Sequence, residues 1–299
     1  MKLCNIQHDC YYFHAAVNIG YVKAGDQGLL IDAGLDKSSI KKVIKELDKE
    51  QLPLTHLFIT HAHADHFGGA AHLQKTKDVF TMAPPLEEAV LRYPILEPIY
   101  LFQGNHPLPE MRNKFLEGET IRIDQVLNEG NHEIDAFTFE CISFPGHSEN
   151  QMGIKINEIL YCGDAYFSIE QLQKHKIPYI VDCQHTINTL EKCLGIDCYG
   201  AVPGHGEFET AFQRTIRGNI VYHHQILDWM SDYFKLKEAN VSHEELVRDA
   251  CEAWEVSLPF VSSWMLYRTA ITAYATKLVK DDLVELSIKD FALSFNWKS

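Results

Sequence analysis

The chain has 299 residues, 46% of them hydrophobic and 23% charged, with a mean hydropathy of −0.18, the composition of a globular protein with a substantial core. Its formal net charge is −14, and acidic residues outnumber basic ones both over 1–208 (28 against 17) and over 209–299 (13 against 10). Nucleic-acid affinity rests on Lys and Arg neutralising phosphates, so a polyanion-binding face is disfavoured and a small-molecule substrate is the expected partner. No apolar run reaches the length of a membrane span, so no membrane contact is expected. The start MKLCNIQHDC puts Asn5, Gln7, His8 and Asp9 where the apolar core of a leader would lie. The eight cysteines form neither a CxxC pair nor a regular framework and read as reduced thiols; a cytoplasmic protein is the expectation.

In chain order, AVNIGYV and GLLIDAG read as two strands joined through KAGDQG. DKSSIKKVIKELDKE follows as a helix capped by Asp36 or Ser38, with Ile40, Val43, Ile44 and Leu47 on one face. LTHLFIT is a short buried strand. Residues 84–119 differ: Pro84, Pro85, Pro94, Pro98, Pro107 and Pro109 are interleaved with Tyr93, Tyr100 and Phe102. That stretch reads equally as a partly helical insertion or lid and as a surface excursion packed by its own aromatics. FTFECISF, EILYCGDAYF and CYGAVPGHGE each run from a strand into a ligand-type residue. After Gly206 the strand signals fade. ETAFQRTIRGNIVYHHQILDWMSDYFKLKE and HEELVRDACEAW read as helices, and VSSWMLYRTAITAYATKLVKDDLVEL as a further pair. Alternating strands and helices with polar residues at strand ends predict layered sheets, helices outside and a site at one edge.

The chemistry concentrates in THAHADHFGG. His61 and His63, two apart, can turn toward one ion, and Asp65 and His66 toward a second. Gly68 and Gly69 allow close backbone approach as a helix begins. Four ligands cannot complete two sites. His147 in FPGHSENQ, Asp164 in LYCGDAYF and His205 in VPGHGE are the candidates for the remainder, each after an apolar strand and beside a glycine. Imidazole and carboxylate donors suit zinc, with iron and manganese as alternatives. His8, His14, His56, His72, His106, His132, His175, His185 and His243 read as surface or satisfied polar residues, and His223 and His224 as a solvated or domain-contact pair.

Over residues 14–208 the chain resembles the metallo-β-lactamase-fold superfamily of hydrolases: HAHADH, PGHS, GD and PGHG stand in that family's order. The resemblance implies an α/β fold, a four-layer αββα sandwich with its site at one edge. The catalytic domain would be 1–208, with 84–119 as its proline-rich insertion or lid. Residues 209–299 would be a mainly helical C-terminal extension, winged-helix-like, covering the pocket or the sandwich or mediating a homodimer. It implies that His61, His63 and His147 hold one divalent metal ion, that Asp65, His66 and His205 hold another, and that Asp164 bridges them. Asp32, in LLIDAG, would orient the motif loop without being a ligand. Two ions about 3.5–4 Å apart would lower the pKa of a shared water and supply the attacking hydroxide. Asp65 would orient it and pass a proton to the leaving group.

The reaction this implies is hydrolysis of a small-molecule ester, thioester, lactone or amide, with the substrate-binding residues unassigned. An RNA- or phosphodiester-cleaving nuclease of the same superfamily is the alternative, weakened by the acidic surface. Iron-dependent redox chemistry is weaker still: the flavin-linked di-iron relatives carry Glu at the position of His63 and a flavodoxin domain after the fold, and this chain has neither.

Overall fold

The computed structural model describes residues 1–237 and 240–298. Strands β1 (Lys2–Gln7), β2 (Cys10–His14), β3 (Ile19–Ala24) and β4 (Gln27–Ile31) pair antiparallel in chain order. The chain then crosses over through helix α1 (Lys37–Lys49), so β5 (His56–Phe58) joins parallel to β4. Asp36 caps α1, accepting from the backbone N–H groups of Ser38 and Ser39, and Ile40, Val43 and Leu47 are its buried face. Strands β6 (Phe80–Ala83) and β7 (Gln125–Val126) complete a seven-stranded sheet.

The second sheet has five strands: β8 (Gly130–Ile134), β9 (Phe137–Ser143), β10 (Met152–Ile156), β11 (Ile159–Tyr161) and β12 (Gly200–Val202), in the order β12-β11-β10-β9-β8. Three apolar clusters define four layers. Between the sheets lie Val22, Leu29, Ile31 and Phe58 from one and Phe137, Phe139, Ile154 and Tyr161 from the other. The period-two alternation of β9, with Phe137, Phe139 and Cys141 buried, places those side chains between the sheets. Outside the first sheet, Leu30, Leu57 and Ile59 pack on Ile40, Val43 and Leu47 of α1 and on Ala70 and Leu73 of α3 (Ala70–Thr76). Outside the second, Leu160 and Ala201 pack on Leu190 of α7 (Cys183–Leu194) and on Phe212 and Ile216 of α8 (Phe212–Lys237).

Residues 84–119 contain α4 (Glu87–Arg92), α5 (Leu96–Leu101) and a 3-10 turn at Pro109–Met111. Leu101, Met111 and Leu116 pack on Met265, so this stretch is held against the C-terminal region and does more than pack on its own aromatics.

That C-terminal region adds α9 (His243–Ala253) and α10 (Val261–Lys280), and also a small sheet: β13 (Val241–Ser242), β14 (Val284–Lys289) and β15 (Ala292–Trp297), ordered β13-β15-β14. The stretch 261–286 read as two helices is therefore one helix followed by a strand. The break falls at Asp281–Asp282, where Asp282 takes a φ of +63°. Val284 and Phe295 then fill the core beneath α8, α9 and α10, and the burial they gain outweighs the helical pattern. The same core takes in Ile177, Ile180, Cys183 and Ile187, so the extension shares apolar contacts with the sandwich. His223 is buried between α8 and α10, its Nδ1 2.7 Å from Tyr274 Oη, while His224 is exposed. All eight cysteines are free. No described helix is long and apolar enough to cross a membrane.

Candidate metal centre

The site sits where strands of both sheets end. Thr60 to His63 follow β5, and Asp65 and His66 lie on the short helix α2 (Ala64–Phe67). His147 follows β9, Asp164 follows β11 and His205 follows β12. All seven residues singled out by the motifs converge. Ligand-type atoms of His61, His63 and His147 lie within 4.8 Å of one another, as do those of His61, His66 and Asp164 and those of Asp65, His66 and His205.

Each histidine but one is oriented by the ring nitrogen that faces away from the cluster. His66 Nδ1 donates to Asp32 Oδ2 at 2.7 Å. His61 Nδ1 lies 3.0 Å from Thr60 Oγ1, which donates to Asp32 Oδ2 at 2.9 Å, so His61 donates and a relay ends on the same carboxylate. Asp32 Oδ1 also accepts the Thr60 backbone N–H at 2.8 Å. Asp32, at φ +66° and 3% exposed, thus anchors the loop from inside. His147 Nδ1 donates to the Tyr179 carbonyl at 2.9 Å, and His205 Nδ1 to the Ala16 carbonyl at 2.8 Å. In all four Nε2 is the nitrogen left facing inward. His63 is the exception, turning Nδ1 toward His147 Nε2 at 2.9 Å.

These inward atoms lack partners of the ordinary kind. Among the described residues, His61 Nε2, His66 Nε2 and Asp164 Oδ1 are buried without a hydrogen bond. Asp164 Oδ2 lies 3.4 Å from both His147 Nε2 and His205 Nε2, and Oδ1 lies 3.3 Å from His66 Nε2. Buried groups of this kind are costly unless something satisfies them, and a cation does so for a whole set of lone pairs at once. The donors fit divalent metal.

The electrostatics divide the cluster in two. Burial, reinforced by neighbouring histidines, holds the imidazoles of His61 and His147 below their ordinary range and brings His63 down to about 3. On the other side burial also opposes charge, but Asp164, Asp32 and Asp65 outweigh it and push His66 well up, and Asp164 and Asp65 bring His205 to about 10. Burial would raise Asp164 and Asp65; His205 and His66 overcome it and hold both carboxylates ionised. One half is a set of neutral nitrogen donors, and the other is an acidic nest that demands positive charge.

Close backbone approach makes the convergence feasible. A Cβ on Gly204 would lie 2.0 Å from Asp164 Oδ1 and 2.8 Å from His66 Cε1. Asn18, buried within the fold, holds the following loop by donating from Nδ2 to the carbonyls of Pro203 (2.8 Å) and Gly206 (2.7 Å).

Three residues important to the site carry no motif. Glu87, on the first helix of 84–119, accepts from the Ala62 backbone N–H at 2.8 Å, the Ser148 hydroxyl at 2.6 Å and the Asn150 backbone N–H at 3.0 Å. It ties the loop between His61 and His63 to the loop after His147. Tyr179 fixes His147 through its carbonyl, which any residue would offer, so no side-chain signal marks it. Asn219 of α8 exchanges two hydrogen bonds with the backbone of Phe167, at 2.7 and 3.0 Å, and so braces the segment after Asp164 from the extension.

Residues 14–205 match the sequence profile of the Metallo-beta-lactamase superfamily. The chain belongs to this superfamily. Among characterised members it is 32% identical over 136 residues to hydroxyacylglutathione hydrolase 1 of Vibrio vulnificus, covering 45% of this chain and 42% of that one. It is 24% identical over 197 residues to an atrochrysone carboxyl ACP thioesterase of Aspergillus fumigatus, covering 66% and 52%. The chain thus matches about half the length of these curated relatives. Among solved structures, a metallo-beta-lactamase family protein of Thermus thermophilus superposes with a TM-score of 0.72 at 14% identity, covering 94% of each chain. A beta-lactamase domain protein of Burkholderia ambifaria gives 0.72 at 16% identity over 99% of this chain and 93% of that one. In these two neighbours the likeness of fold covers the C-terminal region as well. Superfamily members typically bind a dinuclear metal site, and the two halves described above suit one.

Proposed function

We propose that the protein is a metal-dependent hydrolase that cleaves a small-molecule ester or thioester, with lactones and amides as related substrates. In this reading His61, His63 and His147 hold one divalent ion, Asp65, His66 and His205 hold a second, and Asp164 lies between them; zinc is the expected metal. The observation that carries it is the tethering of His61, His66, His147 and His205 through Nδ1, so that four Nε2 atoms face the cluster around Asp164. A metal pair bound there would supply Lewis acidity and an acidified water. The chain's own residues do the rest. Asp65, its side chain 32% exposed and Oδ2 3.4 Å from His205 Nε2, is the carboxylate able to take a proton at the solvent side of the cluster and deliver it to a leaving group. Asp32 and the Tyr179 and Ala16 carbonyls hold a proton on Nδ1 of their histidines, so that Nε2 is the nitrogen turned toward the cluster. The names of the relatives, a hydroxyacylglutathione hydrolase and an ACP thioesterase, favour an acyl substrate.

The test is metal analysis of purified protein together with a panel of ester, thioester, lactone, β-lactam and phosphodiester substrates. Two ions per chain with turnover of an acyl substrate is the expected result. Two ions with turnover of none of these classes would sink the hydrolase reading, and selective phosphodiester cleavage would favour the nuclease. Asp164→Ala should empty both metal positions and His205→Ala chiefly one; equal losses would count against the bridging role.

A further inference from the structure

Beside His63 a cavity of about 250 Å³ opens between residues 84–119 and the segment around Tyr179. Its walls are mainly Leu86, Val90, Leu96, Ile99 and Val181. A larger cleft of about 860 Å³ lies elsewhere, lined by Lys37, Arg112 and Lys114 among others, but no metal-centre residue lines it. The apolar cavity alone of these two reaches the centre.

We infer that this cavity is the acyl-binding chamber of the enzyme, and that it selects an uncharged, apolar acyl group. The inference deepens the hydrolase reading and rests on it for the position of the scissile bond. Three observations carry it. The chamber is built by the insertion, and its mouth presents large apolar side chains to solvent: Leu86 is 63% exposed, Tyr100 45% and Leu96 38%. Leu86 stands there at φ +65°, ψ −50°, a costly backbone conformation for a branched side chain that packing of the loop alone would not favour.

Charge decides the kind of acyl group. Among the described residues no Lys or Arg lines the chamber, whereas Glu87, Glu97 and Glu149 do, so a substrate carboxylate would find repulsion and no partner. Among these apolar walls burial, with Glu87 nearby, pushes the Glu97 carboxyl up to about 8, consistent with a site hostile to negative charge. Tyr179 Oη is buried without a hydrogen-bond partner among the described residues, and its ring lies 5.3 Å from that of His63. With the Tyr100 hydroxyl as its polar neighbour, it offers one hydroxyl to a neutral polar atom of the ligand.

The test uses thioesters of N-acetylcysteamine with acetyl, butanoyl, hexanoyl and succinyl groups on the metal-loaded protein. The expectation is that kcat/KM rises with chain length, by up to about fourfold per methylene, and that succinyl falls at least tenfold below butanoyl. Ile99→Trp should collapse the hexanoyl-to-acetyl ratio toward one; should it not fold by circular dichroism, Leu96→Trp at the mouth replaces it. Glu97→Lys should raise the succinyl-to-hexanoyl ratio at least tenfold. Hexanamide binding to the wild type and to the Trp variant, followed by NMR, reads the chamber without turnover. Cleavage with no dependence on chain length, or with succinyl preferred, overturns the chamber and leaves the hydrolase standing. Saturable hexanamide binding lost in the Trp variant, with no thioester cleaved, supports the chamber and counts against the hydrolase. The absence of both hexanamide binding and chain-length dependence overturns the chamber outright.

Discussion

Glu87 Oε1 accepts the Ser148 hydroxyl at 2.6 Å, across 61 residues of sequence, while Oε2 of the same carboxylate holds the backbone of Ala62. A single side chain from the proline-rich stretch 84–119 thereby sets the separation of two loops that carry His61, His63 and His147. Because it is 5% exposed, its three donors have no water to turn to if it is removed. Glu87→Ala is expected to cost on the order of 3 kcal/mol in urea unfolding of the metal-free protein and to lower metal affinity. Ser148→Ala, which loses one of three bonds, should cost about 1 kcal/mol. Equal costs for the two variants would contradict the clamp.

Asp32 serves His66 directly and His61 through Thr60. Asp32→Asn keeps the shape but offers an amide where two donors converge, and one imidazole must then change tautomer. A loss of metal affinity of roughly 10–100-fold is expected, measured by competition with a chromogenic chelator. Unchanged affinity would show that the loop holds its histidines without the carboxylate.

Gly204 is fixed by space. Gly204→Ala would drive a methyl against Asp164 Oδ1, at 2.0 Å, so the carboxylate must move by about an ångström. Displacements of that size cost on the order of 10²-fold in rate. Activity should fall by that much with the circular dichroism spectrum unchanged, and a silent Gly204→Ala would refute the packing described.

Glu97 makes stability depend on pH. Its carboxyl titrates near 8 in the fold against an ordinary value of 4.5, so the folded state binds the extra proton between those limits. Its contribution is intact below the unfolded value and is lost as pH rises toward 8, with a slope of at most about 1.4 kcal/mol per pH unit. Glu97→Gln cannot ionise. Its stability relative to wild type should therefore climb from pH 5 to pH 8 and level off above, as read by urea midpoints; a constant difference would place Glu97 in water.

Sequence by itself singled out the seven residues that the fold brings together. Strand-then-ligand patterns at His61, His147, Asp164 and His205, and the aspartate after Leu29–Ile31, are local signals, because a buried strand that ends in a polar residue has few other uses. The sandwich was legible for the same reason: period-two burial in strands such as Phe137–Ser143 and the helical face of Ile40, Val43 and Leu47 follow from spacing alone. What only the tertiary structure decided is how those residues are held and what they face. His147 and His205 are aimed by backbone carbonyls, which have no side-chain identity to read. Glu87 and Asn219 act across long stretches of chain, and nothing near either residue distinguishes it from a surface polar group until the partner arrives. The strand at Val284–Lys289 likewise follows helix-like spacing and is settled by the apolar core it completes.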